Sequence, residues 1–392
     1  MTTTAHSLAA TASIKQSAVD RVPWTVWTSA IATISVVTGA VWDISWHISV
    51  GRDTFWTPPH ILIQLCAAIG GLTAVYLIAR TTFGHDEAAR ANSVRLFGLR
   101  APLGAFLSGW GALTMLASAP FDNWWHETYG LDVKVLSPPH AVLGIGAVAV
   151  IFGGFLLTMA PLNRASTALA GRLETVFIVL IGFVMVSAQA DLIECSNRAL
   201  MHSAIFYRCF MFPFPVYLMI VRCVVQRRWA CTTTAAVYMA LSMAQEWVLP
   251  LFFAEQKLGP VYQRVPYMVP LGFPVLMIVP ALMADLLWAR IKSWNGWKKA
   301  IIMGAGIFMV FVAAQWLFAN FLMSPWSANW VFGTHYQLYM APPGSPGMTP
   351  EFFYYEKSAF EFWTGMAMAL FTAMLTSGLG LAVGTWLRSV RR

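Results

Sequence analysis

Charge is scarce in this chain. Only 11% of its 392 residues are Asp, Glu, Lys or Arg, while 58% are hydrophobic and the mean hydropathy is +0.62. That balance excludes an ordinary soluble domain. Acidic residues are fewer than basic ones, 17 against 25 Lys and Arg, giving a net charge of +8. No nucleic-acid partner follows from this excess, because the basic residues sit in short connections between long apolar runs. Cysteine is also sparse. Cys66, Cys195, Cys209, Cys223 and Cys231 form no CxxC pair and mostly fall inside apolar runs, which points to small packed side chains rather than a disulfide framework or a thiolate metal site. The first 23 residues are polar and lack the short apolar core of a secretory signal, so no cleaved signal peptide is expected.

What is abundant is apolar sequence in stretches of about 20 residues, enough for a helix to cross a hydrocarbon core of about 30 Å. The pattern predicts an all-α, polytopic integral membrane helical bundle of about ten transmembrane helices in five hairpins. The spans fall near 24–46, 58–80, 101–125, 138–160, 173–193, 203–225, 230–252, 266–289, 299–322 and 359–387. Alternate connections carry the basic residues: Arg80, Arg90, Arg95 and Arg100; Arg164 and Arg172; Arg222, Arg227 and Arg228; Arg290, Lys292, Lys298 and Lys299. Arg388, Arg391 and Arg392 follow the last run. By the positive-inside rule these segments are cytoplasmic, so the expectation is a multi-pass protein of the cell inner (cytoplasmic) membrane with both termini cytoplasmic. Along the chain this gives a tail at 1–23, a duplicated region at 24–160, additional helices at 161–322, an external aromatic and proline-rich segment at 323–358, and a last helix with a basic tail at 359–392.

One pattern occurs twice. WDISWHISVGRDTFWTPPH at 42–60 and FDNWWHETYGLDVKVLSPPH at 121–140 each lie between two apolar runs, and with a one-residue gap Asp, Trp, His, Gly, Asp, Pro, Pro and His follow in the same order. Asp43 and His47, like Asp122 and His126, are four residues apart, which puts both side chains on one face of a helix end. Thr57-Pro58-Pro59-His60 and Ser137-Pro138-Pro139-His140 read as helix starts, with a hydroxyl cap, prolines where no N–H is needed, and a histidine in the first turn. Each hairpin thus offers two imidazoles and one carboxylate to a shared space, a set that suits copper, zinc or ferrous iron. The competing reading is structural: histidines capping helices and aspartates anchored at the interface. An unpaired aspartate in a membrane costs about 2.5 to 3.5 kcal/mol, and the same three residue types at matched offsets favour metal. Haem is discounted, since a Pro-Pro pair keeps each histidine pair off a single helix.

The first motif resembles the metal-site segment of the C subunit of the copper membrane monooxygenases, the particulate methane and ammonia monooxygenases. There an Asp, a His and a second His fall at offsets of four and thirteen, as Asp43, His47 and His60 do here, and GRDTFWTPPH is similar to the run joining them. The second motif resembles that family's neighbouring site, with Asp122 where the family has asparagine, and His126 and His140 at offsets of four and fourteen. The resemblance covers about residues 24–160. It implies one or two copper ions, oxygen chemistry with quinol as reductant, a small or apolar substrate, and partner subunits or a homo-oligomer within the lipid bilayer.

Other polar residues are weaker candidates. Asp53 and Asp132 recur in both motif loops, where a carboxylate can hold the second N–H of a ligating histidine or cap a helix. Asp191, Glu194 and His202 form a third polar cluster, either a decayed copy or independent; Glu246, Asp285 and Glu361 lie in or beside spans, and His335 lies in the external segment. The sequence therefore carries three readings: a copper-dependent membrane oxygenase or its metal-binding subunit, a non-enzymatic copper-binding or transfer protein, and an ion or proton transporter using Asp191, Glu246 and Asp285.

Overall fold

The computed structural model describes residues 21–51, 54–130, 137–196, 200–257, 265–322, 324–333 and 356–392, without the side chains of Glu194 and Ser196. These fold into an all-α bundle. The helices are α1 (Trp24–Ser49), α2 (Pro58–Phe83), the short α3 (Glu87–Ala91), α4 (Leu103–Tyr129), α5 (Pro138–Leu162), α6 (Thr167–Asp191), the short α7 (Ile193–Ser196), α8 (Ala204–Met211), α9 (Phe214–Val224), α10 (Ala230–Val248), α11 (Ile278–Ile291), α12 (Gly296–Leu322) and α13 (Ala359–Leu387). A two-stranded antiparallel ribbon, β1 (Val94–Leu96) and β2 (Leu99–Ala101), lies between α3 and α4.

Among the described residues, seven helices are long and apolar enough to cross a membrane: α1, α2, α5, α6, the α8–α9 pair, α12 and α13. The sequence predicts ten such spans. Helices α4 and α10, 27 and 19 residues long, form where expected but are less apolar. The larger departure is at 266–289, which is helical only from Ile278. Pro266, Pro270 and Pro274 each lack an N–H and disfavour helical backbone at the preceding residue, so the chain there is irregular.

Non-helical backbone is tolerated at membrane depth only where its amides find partners. Here side chains supply them. The amide of Val269 donates to Ser49 Oγ (2.7 Å), Gly272 to Glu246 (3.0 Å), Val275 to the Tyr238 hydroxyl (3.2 Å) and Leu276 to Gln315 (2.9 Å), while Ser45 donates to the Val269 carbonyl (2.7 Å). Glu246, Tyr238, Gln315, Ser45 and Ser49 are all buried for this purpose.

The two motif hairpins pack as a four-helix unit, α1 with α2, α4 with α5, and α2 against α4. Small residues bring the second pair together: a Cβ at Gly111 would lie 2.6 Å from the Gly146 carbonyl, and one at Gly153 2.8 Å from the Ser108 amide. Helix α6 joins this unit to the rest by packing on both α1 and α10, and the remaining helices surround an aromatic core of Phe177, Phe206, Tyr207, Phe210, Phe214, Tyr238 and Phe311.

The basic connections gather at one end. Asn163 Nδ2 donates to the carbonyls of Leu387 (2.8 Å) and Val390 (2.7 Å), Arg388 reaches the Val224 carbonyl (3.3 Å), and Arg164 bonds Asn92. His140 lies 23 residues before Asn163 on α5, about 35 Å along the axis at 1.5 Å per residue. Both motifs therefore occupy the end opposite Arg388.

Candidate metal centre

Asp43 and His47 occupy the last two turns of α1, one helical turn apart. The helix stops because Gly51 adopts φ +81°, a left-handed conformation that glycine takes without strain. The chain re-enters at Pro58-Pro59, so His60 stands in the first turn of α2. Just below the site the two helices meet backbone to backbone. A Cβ at Gly39 would lie 2.9 Å from the Ile63 amide nitrogen and 3.1 Å from the Pro59 carbonyl, and Ser35 Oγ donates to the Leu62 carbonyl at 2.6 Å.

That apposition sets the site. Asp43 Oδ1 is 3.2 Å from His60 Nε2 and Asp43 Oδ2 is 3.7 Å from His47 Nε2. Among the described residues this is the group whose three ligand atoms all lie within 4.8 Å of one another. Two ligands bonded to one tetrahedral ion at 2.0 to 2.2 Å are about 3.4 Å apart, so these two separations bracket a coordination edge.

Hydrogen bonding makes the case sharper. His60 Nδ1 lies 3.1 Å from the Thr54 carbonyl, which only accepts, so Nδ1 donates there and Nε2 is the nitrogen turned toward the site. It lies 3.2 Å from Asp43 Oδ1, a buried oxygen that receives no hydrogen bond. A cation belongs between them, either a proton or a metal, and the metal satisfies His47 as well.

The second copy repeats the logic with a different histidine. Gly130, at φ +85°, ends α4, and its carbonyl receives His126 Nδ1 at 2.9 Å. His126 Nε2 then faces Asp122 Oδ1 at 3.5 Å, and His140 Nε2 faces the same oxygen at 3.8 Å. Asp122 Oδ1 is likewise buried without a hydrogen bond. The N₂O donor set fits copper, zinc or ferrous iron at each copy. Asn123 turns away and donates to Glu127 at 2.7 Å.

The two centres open on one crevice, of about 30 Å³, lined by His60 and Gln64 from α2, Ser118 and Asp122 from α4, and His140 and Leu143 from α5. Gln64 was not picked out from the sequence. It lies one turn beyond His60 in an otherwise apolar stretch, which was the available signal, and its Oε1 is buried with no hydrogen-bond partner.

Other expectations fare variously. Ser137 caps α5 by accepting from the His140 amide at 3.4 Å, but Thr57 makes no such cap and instead donates to the Thr54 carbonyl at 2.8 Å. Asp53, Asp132 and His335 lie outside the described residues, as does the Glu194 side chain. The carbonyls of Thr54 and Gly130 lie against the Nδ1 of His60 and His126. His202 is buried away from both motifs, with Nε2 3.0 Å from Asn320 Oδ1 and its ring edge-on to Trp316. Asp191, at the end of α6, accepts from Ser187 at 3.3 Å. Asp285 is held by Arg222 (3.1 Å), the amides of Cys231 (3.2 Å) and Thr232 (2.8 Å) and the Thr232 hydroxyl (2.8 Å), so it caps the start of α10. Glu246 lies 14 residues further along α10, about 21 Å away, so Asp285 and Glu246 do not form one ion site.

Compared with protein-family models, curated proteins and solved structures, the chain matches none.

Proposed function

We propose that this chain is a membrane-embedded copper protein of oxygenase type, or the metal-binding subunit of one. Asp43, His47 and His60 would hold one ion, and Asp122, His126 and His140 a second. The observation that carries the metal is the convergence of Asp43, His47 and His60, whose ligand atoms all lie within 4.8 Å of one another around an aspartate oxygen that receives no hydrogen bond. The choice of copper and of oxygen chemistry rests on the likeness of both motifs to the copper membrane monooxygenases. Bound there, copper would supply one-electron redox chemistry toward dioxygen, with quinol as the reductant.

The protein's own groups have definite tasks. The Thr54 and Gly130 carbonyls hold the Nδ1 of His60 and His126 and so turn each Nε2 toward its aspartate, a support whose loss costs about 10- to 100-fold in metal affinity. The aspartates supply the negative charge that holds a cation in a low-dielectric site. Ile63, Phe55 and Leu143 wall the crevice with apolar surface and limit water. A small or apolar substrate would arrive through the lipid, in a ten-pass topology with both termini cytoplasmic and with partner subunits or further copies of the chain around it.

One observation favours a second reading, a non-enzymatic copper carrier: the His47 side chain is 42% exposed, so an ion there is reachable from outside. A single experiment separates the two. Copper content and quinol-dependent oxygen uptake are measured for the purified chain, His60→Ala and His140→Ala, with monodispersity as the check on folding. Each substitution is expected to remove about one copper equivalent and all oxygen uptake. Unchanged copper in both variants would sink the metal assignment, and copper binding with no oxygen uptake under any reductant would establish the carrier.

A further inference from the structure

A second cavity, of about 250 Å³, lies at the basic end of the bundle, opposite both motifs. Four helical segments enclose it: Cys223 from α9, Trp288 from α11, Lys299 from α12, and Leu381 and Thr385 from α13, with Arg388 just beyond. Its chemistry is lopsided, because two cations line it and no carboxylate does.

The cations are held in place without being neutralised. Lys299 Nζ donates to the Lys292 carbonyl at 3.2 Å and sits over the Trp288 ring, 5.3 Å from its centroid. Arg388 Nη1 donates to the Val224 carbonyl at 3.3 Å. Neither joins an ion pair among the described residues. Three acids of this end are taken elsewhere, Asp285 by Arg222 (3.1 Å), Glu174 by Arg227 (3.5 Å) and Asp86 by Arg80 (3.4 Å), and Glu87 does not line the cavity. The first turn of α12, which begins at Gly296 on the cavity wall, adds the positive end of a 27-residue helix.

The surroundings say what kind of anion this is. Exposed Trp294, Trp297 and Trp386 cluster at the same end, and such rings settle at the headgroup level of a bilayer. The wall is polar at Lys299, Thr385 and Arg388 and apolar at Leu381, a gradient that follows a lipid from phosphate to acyl chain. We infer that the cavity binds the phosphate of an anionic phospholipid, with Lys299 and Arg388 as its counter-ions. A zwitterionic lipid brings its own cation to the phosphate and gains less from the pair. Basic pockets between transmembrane helices recognise acidic headgroups in this way.

The test uses the full chain in mixed micelles, with phosphatidylglycerol and phosphatidylcholine competing for retention by native mass spectrometry. The unaltered chain is expected to retain one phosphatidylglycerol, preferred over phosphatidylcholine by roughly ten- to thirty-fold, the selectivity expected of two nearby charges. The double variant Lys299→Gln/Arg388→Gln should lose that preference, and Lys299→Arg/Arg388→Lys should keep most of it. Both positions are at the solvent end of the bundle, and retained monodispersity with normal copper content separates lost binding from lost folding. An undiminished preference in the Gln double variant overturns the inference. So does inorganic phosphate binding at the cavity with no preference among lipids, since that would make it a site for a soluble anion.

Discussion

Replacing Gly39 by alanine tests how the first centre is built without touching a ligand. Gly39 is buried one turn before Asp43, and an added Cβ would meet Ile63 Cγ1 at 2.7 Å, the Ile63 nitrogen at 2.9 Å and the Pro59 oxygen at 3.1 Å. The side chain of Ile63 can rotate, but the backbone atoms of α2 can only retreat. Restoring an ordinary separation of 3.4 Å from the Ile63 nitrogen moves α2 by about 0.5 Å, the sort of shift that overpacking forces at a cost of about 1 to 3 kcal/mol. His60 rides on that helix. Coordination tolerates about 0.2 Å, so the site should lose about 10- to 100-fold in metal affinity, or about 1.4 to 2.8 kcal/mol. Equilibrium dialysis against a copper chelator reads this directly. Gly144, one turn beyond His140, is the control: nothing lies within 4 Å of its Cβ position, so Gly144→Ala should leave metal affinity unchanged and add about 0.5 to 1 kcal/mol of helix stability. If Gly39→Ala binds copper as tightly as the control, the apposition of α1 and α2 does not set the site.

Three further outcomes follow from geometry away from the metal. Asp285→Asn should destabilise the bundle by about 3 to 5 kcal/mol, because it strands the Arg222 guanidinium, whose side chain is 8% exposed; a thermal or denaturant midpoint no lower than that of the parent would contradict this. Burial in the turn before α8 pushes the His202 pKa below its usual 6.5, outweighing the bond to Asn320, so below 6.5 the unfolded chain binds the proton that the folded chain refuses. Stability from this group is complete above pH 6.5 and falls as pH drops through that value; a His202→Gln variant should show a flatter acid limb, and an unchanged limb would exclude His202 as its source. Cysteines introduced at Thr54 and Ser389 should react with impermeant reagents from opposite sides of the membrane, the latter from the cytoplasm, and labelling of both from one side would refute the topology.

Much of this was legible because the physics involved is local. Asp43 with His47 and Asp122 with His126 pair because a helix puts residues four apart on one face, and the glycines after each histidine end their helices at positive φ. Hydropathy found seven of the ten predicted spans for the same reason, helix by helix. It misread 266–289 because it counts apolar side chains and ignores donors, and the non-helical stretch is as apolar as a helix would be. The prolines at 266, 270 and 274 were the better guide. The partners of that stretch, Ser49, Glu246, Tyr238 and Gln315, come from three other helices and had no common signal. Backbone carbonyls are likewise silent in a sequence, so the Thr54 and Gly130 carbonyls that meet His60 and His126 had no signal there.

The duplicated motif shows how far matched spacing can be trusted. Both copies converge on an aspartate, yet only the first draws all three ligand atoms within 4.8 Å. In that copy each carboxylate oxygen takes one imidazole, whereas in the second both imidazoles approach Asp122 Oδ1. The anchoring carbonyl also changes partner, gripping the α2 histidine in the first copy and the α4 histidine in the second. Under Gly39 the first pair of helices closes immediately below its aspartate, while the glycine contacts of the second pair come no nearer than Gly146 against the Met115 amide, seven residues or about 10 Å before Asp122. Tight helix contact next to the ligands closes the first triad, and its absence there leaves Asp122 and His140 facing the shared crevice with His60 and Gln64. The first centre should consequently fill at lower copper concentration than the second, and stepwise copper titration of Gly39→Ala should narrow that gap by weakening the tighter site alone.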